Sequence, residues 1–482
     1  MTLPAPVRRN LLLLVVCLAQ LMVVLDVSIV NVALPSIRHD LGYSTTGLQW
    51  VVNAYTLTFA GFLMLGGRAA DLLGRRRVFL AGTGLFTLAS ILCAVADSQA
   101  TLDGARALQG FGAAIISPAT LAILATSFTE GRARNRALAA WGAMGGVGGA
   151  AGVLLGGLLT QELSWPAIFL INVPIGLVVI AAGLRVVPEG RAQLEHRHFD
   201  VAGAILITLG LTALVYGIVR TDSLGWGATG VLVPIAISVV LLAAFALVEA
   251  RVAKAPLMPA RLVKLGRLRA ANLVIFLLFA AVFAMWFFVS LYLQQVLGLD
   301  ALEAGLAFLP MTLVIIAVTT QTPKLIARFG SGRVLAVGLL LAGVGMALFS
   351  DVHAGGSYVA NVLPAGLVTA VGLGLGLVSG TIVAVQGVEP RDSGLASALL
   401  NSSRLVGGAL GLAVLSAIAA SHTSDKLAAG TPHLAALSDG FSVAFLTGAG
   451  ACLVGALLAA LLLGRRAAPA PAPATEVESP AA

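Results

Sequence analysis

The strongest constraint on this chain is one length, repeated. Fourteen mostly apolar stretches, from Leu11–Leu34 to Phe441–Leu463, alternate with short polar connections. About 20 apolar residues, wound as a helix, cross the ~30 Å hydrocarbon core of a bilayer. The stretches are too long for barrel strands and lack their period-2 alternation, so each predicts a membrane-spanning helix. Leu11–Leu34 follows Arg8 and Arg9 as a signal peptide would, but it exceeds a signal core and reads as an uncleaved first span.

Composition supports this. Charged residues are 10% of the chain and apolar ones 59%, with a mean hydropathy of +1.00; soluble domains carry about 25% charged residues. The surface must therefore face lipid. The net charge of +8 does not point to nucleic acid, because the basic residues are scattered between apolar runs. Cys17, Cys93 and Cys452 all lie in apolar runs and predict no disulfide framework. The six histidines fall in polar connections without metal-site spacing, so neither a metal nor a cofactor is expected.

Charge also predicts sidedness. With the N-terminus inside and sides alternating, inner connections hold 24 of the 29 Lys and Arg residues. Only Arg38, Arg220 and Lys426 fall outside; Arg106 lies within a span and Arg404 near the inner end of another. The acids divide evenly. This is the positive-inside pattern, and it places both termini in the cytoplasm of a cell, by expectation a bacterial one.

A weak repeat is visible. Arg68–Val78 and Lys324–Val334 align Gly74 with Gly330 and Arg77 with Arg333, and each run precedes a helix. Such internal symmetry marks secondary transporters. Ala327 stands where the first copy has Asp71, so the copies differ chemically. The tail after Arg466 is rich in Ala and Pro and predicts disorder.

Two charges lie deep in the spans, Asp26 and Arg106. Each costs about 2.5–3.5 kcal/mol at a helix centre, so both are expected to face protein or water and to pair. Their depths suit a shared cavity in the outer half. Burial raises a carboxyl pKa and a neighbouring Arg lowers it, so alternating exposure suits Asp26 to carrying a proton. Arg106 keeps its charge and acts electrostatically. Arg106, Gln109, Ala113, Ser117 and Thr120 form one small polar stripe, read as cavity lining. Asn31, about 140° from Asp26, should face elsewhere. Gly148, Gly152 and Gly156 are spaced for close helix packing, as are Gly372, Gly376 and Gly380. No phosphate-binding G-x-x-x-x-G-K-[ST] run occurs, which leaves no ATP engine in the chain.

Several runs resemble one family. Gly67-Arg-Ala-Ala-Asp71-Leu-Leu-Gly74-Arg75-Arg76-Arg77 is similar to the signature between helices 2 and 3 of the major facilitator superfamily, and Arg106-Ala-Leu-Gln109-Gly110-Phe-Gly112 to that of its helix 4. Leu25-Asp26-Val-Ser-Ile-Val-Asn31-Val-Ala-Leu-Pro35 resembles the first helix of fourteen-helix drug:proton antiporters. Trp50–Leu57 with Asn53, Phe169–Gly176, Tyr292–Gly298 with Gln294 and Gln295, and Gly394–Asn401 point the same way. Gly148–Gly157 is similar to the antiporter signature of helix 5, with Val153 where the family has Pro, and Trp165-Pro166-Ala167 stands for the family's Trp-Arg-Trp.

The resemblance implies an all-α major facilitator fold. Residues 1–10 form a cytoplasmic N-terminus and 11–187 a six-helix bundle. A linker, 188–272, carries two extra spans at about 201–219 and 230–248. A second bundle occupies 273–463, and 464–482 form the tail. The resemblance assigns Asp26 and Arg106 to proton coupling. It gives Gly67, Asp71, Gly74 and Arg75–Arg77 to gating, and Gly148, Gly152, Gly156 and Gly157 to the antiporter motif. Candidate substrate contacts are Asn53, Gln109, Ser117, Trp286, Gln294 and Gln295. The expected function is proton-coupled export of small lipophilic or cationic drugs by a monomer, with protons and lipids as its other partners. Export of a self-made metabolite, proton-coupled uptake and, remotely, a membrane enzyme are the alternatives.

Overall fold

The computed structural model describes residues 5–44, 46–128, 131–190, 200–253, 256–258, 260–388 and 392–464. The tail expected to be disordered lies outside these residues, as does most of the connection before Asp200. Fourteen helices are long and apolar enough to cross a membrane, and no strand occurs among the described residues. They are α1 (Val7–Leu41), α2 (Gly47–Leu73), α3 (Arg75–Ala94), α4 (Gln99–Ser127), α5 (Arg136–Glu162), α6 (Ala167–Val186) and α7 (Val201–Val219), then α8 (Thr229–Val252), α9 (Gly266–Val296), α10 (Ala301–Phe329), α11 (Ser331–Asp351), α12 (Tyr358–Val385), α13 (Gly394–Ala428) and α14 (His433–Leu463). Helices satisfy every backbone group internally, which lipid demands.

Several helices outrun their apolar cores. α1 continues through Pro35 to Leu41, and α14 begins at His433 rather than Phe441. Local chemistry sets the ends. Ser98 and Thr101 cap α4 reciprocally, as Asp300 and Glu303 cap α10. Gly74 and Gly330 join α2 to α3 and α10 to α11, with φ of +108° and +89°. A side chain there would be strained, so the two aligned runs share a backbone device as well as a sequence.

Helices α1–α6 pack mainly on one another, as do α9–α14. The added helix α7 lies in the seam between the halves, where Leu211 and Val215 meet Leu57 of α2 and Ala409 and Ala413 of α13. α8 packs on α7 and is the least buried span.

The halves close at one end, the end assigned above to the outside. A Cβ on Gly157 of α5 would lie 2.5 Å from the Ala301 carbonyl oxygen of α10, and one on Gly305 would overlap the Val153 carbonyl. Further along, the contact passes to side chains: a Cβ on Gly149 would lie 3.7 Å from Thr312 and one on Gly146 2.7 Å from Ile316, whereas one on Gly142 would meet nothing within 4 Å. The two helices part beyond Gly146, toward the inner end.

Candidate functional site

Asp26 of α1 is fully buried and Arg106 of α4 is 1% exposed. Arg106 Nη1 donates to Asp26 Oδ2 at 2.6 Å and to Gln109 Oε1 at 2.6 Å, while its Nε donates to the Val51 carbonyl at 2.9 Å. Asp26 Oδ1 accepts from Gln109 Nε2 at 2.7 Å and from Asn172 Nδ2 of α6 at 3.0 Å. Gln109 Nε2 also reaches Ser90 Oγ of α3 at 2.8 Å. The guanidinium lies 4.5 Å from the Tyr55 ring and 5.6 Å from the Phe169 ring, faces that attract a cation. The carboxylate of α1 thus bonds side chains of α4 and α6, and α2 and α3 join the cluster through Arg106 and Gln109. Three donors, one of them cationic, surround it.

The surroundings differ from the sequence expectation. The stripe on α4 does not line an open cavity: Arg106, Gln109, Ala113 and Thr120 are buried inside the first bundle. Ser117 is half-buried, and its carbonyl accepts from Thr120 Oγ1. Asn53 is also buried, donating to Gln49 Oε1 at 3.3 Å, and its own Oδ1 has no partner. Helical periodicity shows which residues share a face but not which neighbour that face meets. Asn31 does stay apart from Asp26: its Nδ2 donates to the Val27 carbonyl of its own helix at 3.1 Å, and its own carbonyl accepts from Ser290 Oγ of α9 at 2.6 Å.

Gln294 and Gln295, expected at a substrate cavity, belong to the outer closure. Gln294 Nε2 donates to the Val32 carbonyl at 2.9 Å, and Gln295 Oε1 accepts from Arg38 at 3.1 Å. Below this seal Trp286 is half-buried against Phe308, ring centroids 4.9 Å apart. Above it lies an outward-facing vestibule of ≈ 760 Å³, lined by Pro35, His39, Asp40, Gln161, Trp165 and Gln294 among others. Trp165 Nε1 donates to Asp40 there at 2.7 Å.

At the opposite end the loop around Gly74 stays within its own half. Asp71 pairs with Arg75 at 3.2 Å, Arg76 with Glu189 at 3.7 Å, and Arg75 N donates to the Gly190 carbonyl. Arg76 also donates to the Leu184 carbonyl. Arg77 is exposed, and Gly67 makes only ordinary contact with Pro118.

The glycines of α5 divide by neighbour. Gly148 and Gly156 lie against Val24 and Ile29 of α1, and a Cβ on Gly152 would collide with Ser28. Gly157 faces α10. The helix that carries Asp26 therefore runs along a side-chain-free track.

With this architecture in place, comparison with known proteins is direct. The family model for the Major Facilitator Superfamily matches residues 16–412. The chain belongs to that superfamily. This facilitator is 44% identical over 431 residues to a cephamycin export protein of Amycolatopsis lactamdurans, covering 87% of each chain. It is 39% identical to a puromycin resistance protein of Streptomyces alboniger, over 95% of this chain and 92% of that one. Among solved structures, a POT family transporter aligns with a TM-score of 0.69 over 96% of this chain and 98% of its own, at 15% identity. That likeness concerns fold alone.

Two parts of the facilitator's polar interior escaped the sequence reading. Asn172 and Ser90 complete the Asp26 cluster; a polar side chain inside an apolar run was the available signal. Asp103, one turn outward of Arg106 on α4, accepts from Tyr43 Oη at 2.9 Å. It was counted with the outer connections because it stands near the end of its apolar run.

Proposed function

We propose that this facilitator exports small lipophilic drugs or antibiotics across a bacterial cytoplasmic membrane in exchange for protons. The observation that carries export is the similarity, over 87% of both chains, to a protein named for exporting an antibiotic. One relative is named for export and another for resistance, so a self-made metabolite and an incoming drug both suit the reading. The task is carriage, with no covalent step, by a single chain whose termini lie in the cytoplasm.

Residues 11–187 and 273–463 act as the two moving bundles, and the linker spans α7 and α8 follow the seam. With the outer seal shut and α5 and α10 diverging inward, substrate enters from the cytoplasm or the inner leaflet. Asp26 is the proton carrier and Arg106 its fixed electrostatic partner. Protonation removes the charge that Arg106, Gln109 and Asn172 hold, and so loosens α1 from α4 and α6. Asn31 and Val32, whose carbonyls seal against Ser290 and Gln294, lie five and six residues further along α1, about 8–9 Å away. A shift of α1 on its glycine track is thereby passed to the outer seal. Protonation from outside has to reach a group with no exposed surface, so it accompanies that shift.

The energy suffices. One charge crossing 100 mV supplies about 2.3 kcal/mol, which sustains roughly a fortyfold gradient of a neutral substrate. The test is uphill efflux of dyes and antibiotics from a host stripped of its own pumps, with and without this chain. Efflux that appears with the chain and collapses with an uncoupler supports the reading. Equal accumulation in both strains refutes it.

A further inference from the structure

The sequence reading placed Arg404 near the inner end of its span. It stands ten residues into α13, roughly 15 Å along the helix axis. Its side chain crosses to α12. Nη2 donates to Thr381 Oγ1 at 2.8 Å and to the Leu377 carbonyl at 3.1 Å, and Nη1 donates to Asn401 Oδ1 at 3.1 Å. Every acceptor is neutral. No carboxylate among the described residues pairs with it, and its Nε is buried without a partner. Arg106, the other arginine this deep, is neutralised by Asp26.

The space that Arg404 faces follows from α9. Phe276, Phe279, Phe283, Trp286 and Ser290 fall within about 80° of one another around that helix at 100° per residue, and all but Ser290 are half-buried. Both ends of this stripe meet the first bundle. Ser290 bonds the Asn31 carbonyl, and Phe276 lines a ≈ 190 Å³ cavity together with Ala60, Gly61 and Met64 of α2. Its middle therefore faces the gap between the bundles. The Arg404 guanidinium lies 5.5 Å from the Phe279 ring, which stands 6.0 Å from that of Phe283. Asn401 and Thr381, flanking the guanidinium, are exposed. The arginine thus borders the space that is open toward the inner end.

A cation held at membrane depth by neutral acceptors alone lacks the counter-charge that such a group ordinarily finds. A substrate anion would supply it. An Arg beside aromatic rings suits an aromatic or alicyclic body bearing a carboxylate. We propose that Arg404, with Asn401 and the Phe279–Phe283 face, forms the subsite for an acidic group on the exported molecule, so that lipophilic carboxylic acids are the preferred substrates. This rests on the exporter reading and replaces the cationic part of the sequence expectation, which weighed only Asp26 and Arg106. It also alters the energetics. Exchanging a monoanion for a proton moves two charges in the direction favoured by a cytoplasm-negative potential, against one for a neutral molecule.

The test is transport into inside-out vesicles of acid and methyl-ester pairs of polycyclic aromatic dyes and antibiotics, with KM measured for wild type, Arg404→Gln and Arg404→Lys. Wild type should prefer the acid, and an imposed potential should drive the acid more steeply than the ester. Arg404→Gln should raise KM for the acid about tenfold or more and leave the ester nearly unchanged; Arg404→Lys should retain most acid transport. Equal losses for acid and ester would make Arg404 a mere tether between α13 and α12 and overturn the proposal. So would an Arg404→Gln protein that handles acids normally, or a wild type that moves esters and no acids, which leaves the exporter reading intact. A wild type that moves neither member of any pair uphill would overturn both.

Discussion

Arg106 Nη1 lies 2.6 Å from Asp26 Oδ2 and 2.6 Å from Gln109 Oε1, so a single guanidinium nitrogen links the carboxylate to the amide that also bonds it. Neither charge is reached by solvent in this conformation. A buried pair contributes little net stability, yet removing one member strands the other.

The first expectation concerns that stranding. Arg106→Ala takes the cation from the buried Asp26 carboxyl and should cost up to about 3–5 kcal/mol, read as loss of thermal stability in detergent. Combining Asp26→Asn with Arg106→Gln removes both charges while keeping amides that can hydrogen-bond. The double variant should regain most of the stability but none of the proton-coupled transport. A stable Arg106→Ala protein would mean that proton uptake or water relieves Asp26 once the arginine is gone.

The outer closure gives a second. A Cβ on Gly305 would collide with the Val153 carbonyl oxygen, so Gly305→Leu should wedge α10 from α5 and hold the outer end open. Asn31→Cys reports the change, because Cys17, Cys93 and Cys452 are buried and contribute little background labelling. A membrane-impermeant thiol reagent added outside should label Asn31→Cys strongly with Gly305→Leu present and weakly without it. Unchanged labelling would show that the α5–α10 contact does not gate the outer end.

A milder version removes the polar part of the seal. Ser290 and Gln294 donate to the Asn31 and Val32 carbonyls, and hydrogen bonds within membranes are worth about 0.6 kcal/mol each. Ser290→Ala with Gln294→Leu should shift the equilibrium toward the outward-open form by roughly eightfold. The labelling rate of Asn31→Cys should rise by the same factor, which distinguishes a graded bias from the wedge.

Much of the architecture was legible from sequence because the bilayer imposes it. Span number follows from length, and the alignment of Gly74 with Gly330 anticipated two joints of like conformation. Asp26 and Arg106 stood out because intramembrane charge is costly enough to need a reason. Helix facing was not legible. The α4 stripe turned into its own bundle, and Gln294 and Gln295 went to the outer seal, because periodicity groups residues without naming their neighbours. Arg404 was placed by counting along an apolar run, whereas its long side chain reaches another helix. Val153 replaces a proline whose kink would have moved the carbonyl that now rests on Gly305.

The most direct measurement of the central claim is substrate-induced proton movement in inside-out vesicles with an acidified lumen, followed with a luminal pH dye. Wild type should discharge the gradient when substrate is added, as protons leave in exchange for its entry. Asp26→Asn, folded and still binding substrate, should leave the gradient in place. An Asp26→Asn protein that discharges the gradient at the wild-type rate would contradict the account, because the exchanged proton would then travel without that carboxylate.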